Sequence, residues 1–304
     1  MQGTQTKASA RVSIVMPTYN RAHFLKKTIE SVLSQSWSGF DLLVRDDCST
    51  DDTEKVVCGI QDHRIHYYRN AQRLKMPDNL NEGIRACDGD YILVCHDHDL
   101  YAPSMVAQMV EFLNTHPTAL FVHCGIAMIK EDGIPTGRQY IGNYPLLAHG
   151  PSWLSFMLGR FDCPVCANSM VRRSAYEQHG LYDPAFGLLA DVEMWMRLSL
   201  HGDVGYIPQP LIQVRAREQD HEYSGINWTV VDIVLRIQRL YHEHAFTGWH
   251  RWWRWMRLEA RAERYVLAQY LVSICKKDRR AHEEGRRYLK NSGMLLSRII
   301  AWGL

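Results

Sequence analysis

The sequence predicts an α/β fold: a mainly parallel sheet flanked by helices, followed by a helical C-terminal appendage. Three observations predict it. Short apolar runs rich in β-branched residues alternate with segments of helical apolar spacing up to Pro103. Three of these runs end in polar clusters, at Pro17-Thr18-Tyr19-Asn20-Arg21, Arg45-Asp46-Asp47 and His96-Asp97-His98-Asp99. After Asn227 the texture becomes helical and basic.

Taken in order, VSIVMP (Val12 to Pro17) reads as the first strand, and Phe24, Leu25, Ile29, Val32 and Leu33 recur at helical spacing between His23 and Gln35. FDLLVRDDCSTDD repeats the pattern, with a strand over Leu42 to Val44 and a carboxylate-bearing end. Ser49 or Thr50 then caps a helix over Asp52 to Cys58. A strand near Ile65 to Tyr68, a helix near Leu80 to Cys87, a strand over Ile92 to Cys95 and a helix opening at Pro103 as its first residue complete the series. Such alternation implies crossover connections and parallel strands. Ligands bind beyond the carboxyl ends of such strands, which puts the three polar clusters on one rim.

The chain has 304 residues and 46% hydrophobic content, ample for a core. It contains no uninterrupted apolar run of about 18 residues, and its opening MQGTQTKASARVSIVMP lacks the order of a secretory signal. Eight scattered cysteines fit a reducing compartment, so a cytoplasmic protein is expected. The net charge of +2 hides an asymmetry: Asn227 onward carries 15 Lys and Arg against 7 Asp and Glu, and the preceding residues carry 20 against 26. The expected division is therefore an acidic body over 1–226 and a basic, Trp/Arg-rich helical region over 227–304. In WHRWWRWMRLEAR a helical projection gathers Trp249, Trp252, Trp253 and Met256 on one side, with Arg251, Arg254, Arg257 and Arg261 on the other. Such a helix either packs its tryptophans on the body or lies against an anionic cytoplasmic leaflet as a peripheral membrane element. No nucleic-acid partner is expected.

The strand YILVC runs straight into two imidazoles and two carboxylates, and a buried unpaired charge is costly. The cluster needs a metal or a satisfied polar network. Imidazole and carboxylate suit Mn2+ or Mg2+, which neutralises a diphosphate leaving group. The plainer alternative is a polar loop in which Asp99 caps the following helix.

VSIVMPTYNRAHFLKKTIESVLSQSW, DLLVRDDCSTDDT and GDYILVCHDHDLYAP, in this order and spacing, resemble the inverting family 2 glycosyltransferases of GT-A fold, over roughly Arg11 to Gly225. The resemblance implies that Pro17, Thr18, Tyr19 and the Asp46/Asp47 pair hold the nucleotide, one aspartate accepting from a pyrimidine N–H. Arg21, Arg73 and Asp97 are added as nucleotide contacts. It also implies that Asp97 to Asp99 is the D-x-D metal element. Many members carry the metal carboxylate at the middle position, where this chain has His98, so Asp97, His98 and Asp99 all stand as ligands. CPVCANSMVRRSAYEQHGLYDPAFGLLADVEMWMRLSLHG resembles the acceptor half of the family and makes Asp191 the catalytic base, in a place usually written Glu-Asp and here Ala190-Asp191. Its position at a helix start is expected to lower its basicity. Glu193 and Trp195 are acceptor candidates. VRAREQDHEYSG resembles the segment that closes over the diphosphate, with Arg215, Arg217 and His221 as its candidates.

The implied activity is single-sugar transfer from a UDP- or dTDP-linked donor to a saccharide or lipid-linked acceptor in surface polysaccharide assembly. The alternatives are a metal-dependent hydrolase built on the HDHD cluster and a non-catalytic sugar-nucleotide-binding protein.

Overall fold

In the computed structural model residues 10–165, 168–216, 227–246, 248–276 and 278–291 are described. The elements run β1 (Val12–Thr18), α1 (Ala22–Leu33), β2 (Phe40–Asp46), α2 (Thr53–Cys58), β3 (Ile65–Arg69), α3 (Asp78–Arg85), β4 (Tyr91–Val94), β5 (Leu100–Tyr101), α4 (Met105–Thr115), β6 (Ala119–Ile129), β7 (Pro135–Tyr140), β8 (Leu147–Ala148), α5 (Gly150–Met157), β9 (Met170–Arg172) and α6 (Arg173–His179). A 3-10 helix (Pro184–Leu189) leads into α7 (Ala190–Ser199), β10 (Asp203–Arg215), α8 (Trp228–Ala245), α9 (His250–Cys275) and α10 (Arg279–Asn291). They form two compact units, Met1–Gly150 with Pro164–Ala216 and Pro151–Cys163 with Arg217–Leu304.

In the first unit the sheet order is β3-β2-β1-β4-β9-β6-β10-β5, with β7 on β6 and β8 on β10. β3, β2, β1 and β4 are parallel, as are β6 and β10, while β9 runs antiparallel between β4 and β6. The sheet is therefore mixed and mainly parallel, as the strand–helix alternation requires. β1 is apolar on both faces because helices cover both, and Val12, Ile14, Val15 and Met16 are fully buried. α1 turns Phe24, Leu25, Ile29 and Val32 inward, each burial worth about 1.5–3 kcal/mol. α3 lies so close to β1 that a Cβ on Gly83 would stand 2.5 Å from Val15 Cγ1.

Two local expectations change. Ser49 and Thr50 do not cap α2; Asp52 is the cap residue, and Asp51 accepts the Thr53 N–H (3.0 Å) instead. The helix after Pro103 begins at Met105, with Ser104 as its cap residue.

In the second unit Trp228, Val231 and Leu235 of α8 pack with Ala262, Val266 and Tyr270 of α9 and Leu289 of α10. Asn227 caps α8 by accepting the Thr229 and Val230 N–H groups (3.0 and 3.3 Å). Gln238 accepts the Gly159 N–H (2.6 Å) and donates to the carbonyls of Met157 and Arg160, binding α8 to the 151–163 segment. Trp249, Trp252, Trp253 and Met256 are exposed. The apolar seam of α9 is instead Leu258, Ala262, Val266 and Tyr270, further along the helix. No described helix is long and apolar enough to cross a membrane.

Candidate active site

The register of the parallel strands assembles the rim. Thr18 of β1 lies opposite Asp46 of β2, and Val15 lies opposite Val94 of β4, so the three strand ends and their polar residues are neighbours. Side chains then fasten one loop to the next. Asn20 accepts the Thr50 N–H (2.7 Å) through its side-chain oxygen, and its own N–H donates to Ser49 Oγ (2.9 Å). Ser49, expected as a helix cap, is a loop fastener.

Asp46 and Asp47 have different surroundings. Asp46 is 0% exposed, accepting the Ser49 N–H (2.9 Å) on one oxygen and the Tyr67 hydroxyl (2.5 Å) on the other. Both of its oxygens are used in building the loop. Asp47 accepts the N–H groups of Leu74 (2.7 Å) and Lys75 (2.8 Å) and the Asn70 amide (3.0 Å), which brings the 70–75 loop to the rim. Arg73 lies over the Tyr19 ring, 3.8 Å from its centroid, in a cation–π contact that also leaves its Nε 3.9 Å from Asp47. Pro17 is partly buried beside them. Asn20, Cys48 and Lys75 have φ of 52°, 64° and 67°. Non-glycine residues in this left-handed region gather at functional loops more than elsewhere.

At the end of β4 the four polar residues separate by role. His98 directs Nδ1 to Asp97 (2.8 Å), and its Nε2 lies 3.7 Å from Asp99. His96 directs Nδ1 to Asp99 (3.1 Å). Asp99 also accepts the Arg215 N–H (2.9 Å) and the Asn168 side-chain amide (3.1 Å), and Asn168 in turn accepts the His96 N–H (3.0 Å). Burial tends to raise the Asp99 carboxyl, but His96, His98 and the Arg215 amide outweigh it and hold the pKa at about 2. Asp97 is also held below the ordinary carboxylate value: the His98 N–H, the Thr18 hydroxyl and the Arg21 charge overcome its burial.

One donor atom from each of His96, His98 and Asp99 lies within 4.8 Å of the others. Two ligands on one divalent ion stand at most about 4.5 Å apart, so this donor set fits an ion after small side-chain shifts. The set differs from the expected one. Asp97 faces His98 Nδ1 and orients that ring, leaving Nε2 for an ion, a carboxylate–imidazole arrangement common at metal sites. His96, in place of Asp97, joins His98 and Asp99 in the cluster that could hold an ion.

Asp191 is the second residue of α7 and partly buried, accepting the neighbouring Val192 N–H (2.8 Å). Burial raises its pKa above the ordinary value, and that N–H and the nearby His96 oppose the rise without cancelling it. The expected effect of the helix start is thus overridden by desolvation, and the carboxylate is more basic than a free one.

Three of the expected contact residues are engaged inside the fold. Trp195 is 0% exposed, packed against Phe121 (4.7 Å between ring centroids) and edge-on to Tyr182, so no sugar can stack on it. Glu193 gives both oxygens to Arg197 (2.9 Å each), and Arg197 also donates to the carbonyls of His179, Gly180 and Leu181. This pair fixes the chain ahead of the 3-10 helix. Arg215 is 4% exposed and donates to the carbonyls of His98 (2.7 Å) and Glu131 (2.6 Å), with its guanidinium 4.9 Å from the Phe24 ring centroid. It locks the His98 turn. Arg217 and His221 lie outside the described residues. Sequence reasoning missed Asn168 and did not count His96 among the candidate ligands; Asn168 lies inside the CANSMVRR stretch, and the run HDHD already carried His96.

The sequence profile of Glycosyl transferase family 2 matches residues 13–180, more than half of the chain and the whole of this rim. The chain belongs to glycosyl transferase family 2. The transferase is 27% identical over 238 residues to the putative glycosyltransferase EpsE of Bacillus subtilis, covering 75% of this chain and 81% of that protein. It is 29% identical over 126 residues to the GalNAc(5)-diNAcBac-PP-undecaprenol beta-1,3-glucosyltransferase of Campylobacter jejuni, 40% of each chain. Among solved structures its fold matches TarS 1-349 of S. aureus in complex with UDP-GlcNAc, with a TM-score of 0.67 at 14% identity over 92% of this chain and 81% of that one. It also matches the mannosyltransferase PcManGT of Pyrobaculum calidifontis, in complex with GDP-Man and Mn2+, with a TM-score of 0.57 at 15% identity over 97% and 79%. The GT-A reading of the fold therefore holds, and the hydrolase alternative falls away with the family assignment.

Proposed function

We propose that the transferase moves one sugar from a UDP- or dTDP-linked donor onto a saccharide carried on a lipid, with inversion at the anomeric carbon, in surface polysaccharide assembly. The observation that carries this reading is the pairing of Asp191, a carboxylate made more basic by burial, with the His96/His98/Asp99 cluster, whose His96 lies within electrostatic reach of it. Asp191 takes the proton of the acceptor hydroxyl while that oxygen forms its bond to the anomeric carbon and the bond to the diphosphate oxygen breaks. Asp47 and the Tyr19–Arg73 pair hold the nucleotide base, and Asp97 keeps His98 oriented. His96, His98 and Asp99 would hold Mn2+ or Mg2+, which would neutralise charge on the departing diphosphate. The name of the Campylobacter jejuni relative, which acts on an undecaprenol-linked saccharide, supports a lipid-linked acceptor.

The test is calorimetric titration of UDP, dTDP and GDP into the full chain with and without Mn2+. Binding of UDP or dTDP that is strengthened by the metal supports the reading and selects the donor; binding of GDP alone overturns the choice of base. Absence of binding by the folded protein under every condition overturns it.

A further inference from the structure

The second unit holds a cavity of about 420 Å3 lined by His242, Trp249, Trp253, Arg254, Arg257 and Arg261, among others. It lies at the seam between the tryptophan and arginine arcs of α9. Its lining contains three guanidiniums and no carboxylate. The neighbouring acids are engaged elsewhere, Glu243 with Arg251 (3.5 Å) and Glu259 with Arg239 (2.8 Å). Gathering three like charges on one helix face is unfavourable without an anion to receive them.

Two further features point to a ligand. His242 is 1% exposed and neither of its ring nitrogens has a hydrogen-bond partner among the described residues, a costly condition for a buried imidazole. Gly159, at φ +84°, leaves room for Arg261, whose Nη1 would stand 2.5 Å from a Cβ at that position. Arg261 thus passes close to Gly159 at the wall of the cavity. At the mouth, Trp249 is 71% exposed, with Trp252, Trp253 and Met256 exposed beside it. A free anion has no use for that apolar lip, whereas tryptophans beside cationic groups suit the boundary between headgroups and hydrocarbon.

We propose that this cavity binds the phosphate of a lipid headgroup, with Arg254, Arg257, Arg261 and His242 on the phosphate oxygens and the exposed tryptophans in the hydrocarbon. Three guanidiniums match a diphosphate better than a singly charged phosphodiester. The choice of a polyprenyl diphosphate rests on the lipid-linked acceptor reading above; the phosphate-plus-hydrocarbon chemistry does not.

The experiment is flotation of the full chain with phosphatidylcholine vesicles, alone, with a polyprenyl diphosphate, or with phosphatidylglycerol at matched surface charge. The expected result is strong binding to the diphosphate vesicles, roughly tenfold weaker binding to phosphatidylglycerol and none to phosphatidylcholine. The combined variant Arg254→Gln, Arg257→Gln, Arg261→Gln should lose at least roughly tenfold more affinity than Arg279→Gln, Arg286→Gln, Arg287→Gln, which removes the same charge from α10. His242→Phe, which keeps a buried ring, should weaken vesicle binding without lowering the melting temperature. Equal losses from both arginine sets would overturn the proposal as general charge attraction, and so would binding of inorganic pyrophosphate with no vesicle binding. Circular dichroism melting of each variant separates loss of binding from loss of fold. Flotation needs neither donor nor turnover, so its failure leaves sugar transfer standing, and failure of nucleotide binding leaves this cavity standing.

Discussion

Asp191 illustrates how a single side chain can work against the fold that holds it. Its folded-state pKa is raised by burial, so the native state favours the protonated form. The stability this form contributes is fully present below the unfolded value and is lost as pH rises through the folded one. At neutral pH the ionised group therefore destabilises the protein. Asp191→Asn should raise the melting temperature, leave the dissociation constant for UDP unchanged and lower kcat by roughly 10²–10⁴. The acid limb of kcat/KM should lie above the ordinary carboxylate value, because the base must be ionised to work; a limb at or below it would exclude Asp191 from the role. Asp191 could be read from the sequence as a carboxylate at a helix start, but not the direction of its pKa shift. Desolvation comes from the assembled fold and not from local pattern, and the same holds for the burial of Trp195, Glu193 and Arg215.

At the scale of elements, the rim depends on how tightly α3 is seated. Asn81 donates to the Tyr182 carbonyl (2.7 Å) and accepts the Tyr182 N–H (3.1 Å), tying α3 to the chain that leads into the 3-10 helix and α7. Asn81→Ala leaves two buried backbone groups unpaired and should cost about 2–4 kcal/mol in urea unfolding. Gly83→Ala pushes a methyl into Val15 and should cost about 1–3 kcal/mol. Asp47→Ala frees the Leu74 and Lys75 amides and should weaken UDP binding more than it lowers stability, which calorimetry and melting together would show. β1, β2, β4 and the helices between them were legible because each carries a complete local pattern of apolar spacing. The three-residue β9 was not, since it is held by antiparallel pairing to β4 and β6 and carries no periodicity of its own. Asn168, just ahead of it, went unread for the same reason.

Across the whole molecule, the fold class and the rim follow from one rule about parallel strand ends, and the charge asymmetry from simple counting. What the sequence could not supply is which side of the HDHD turn each residue takes, because alternation stops where β4 ends at Val94. A chelator should therefore reduce nucleotide affinity, and His96→Ala should reproduce most of that loss, while a role for Asp97 as the ligand predicts no effect from His96. The rim loops carry a further consequence. Ser49, Thr50, Leu74 and Lys75 all have their amides bound by side chains, and three left-handed residues set the turns between them. The free protein already holds these loops in shape, so a nucleotide arriving there has little chain entropy to remove. Hydrogen exchange at those four amides should be slow before any ligand is added and should change little afterwards, and nucleotide encounter should be limited by diffusion and not by a search among loop conformations.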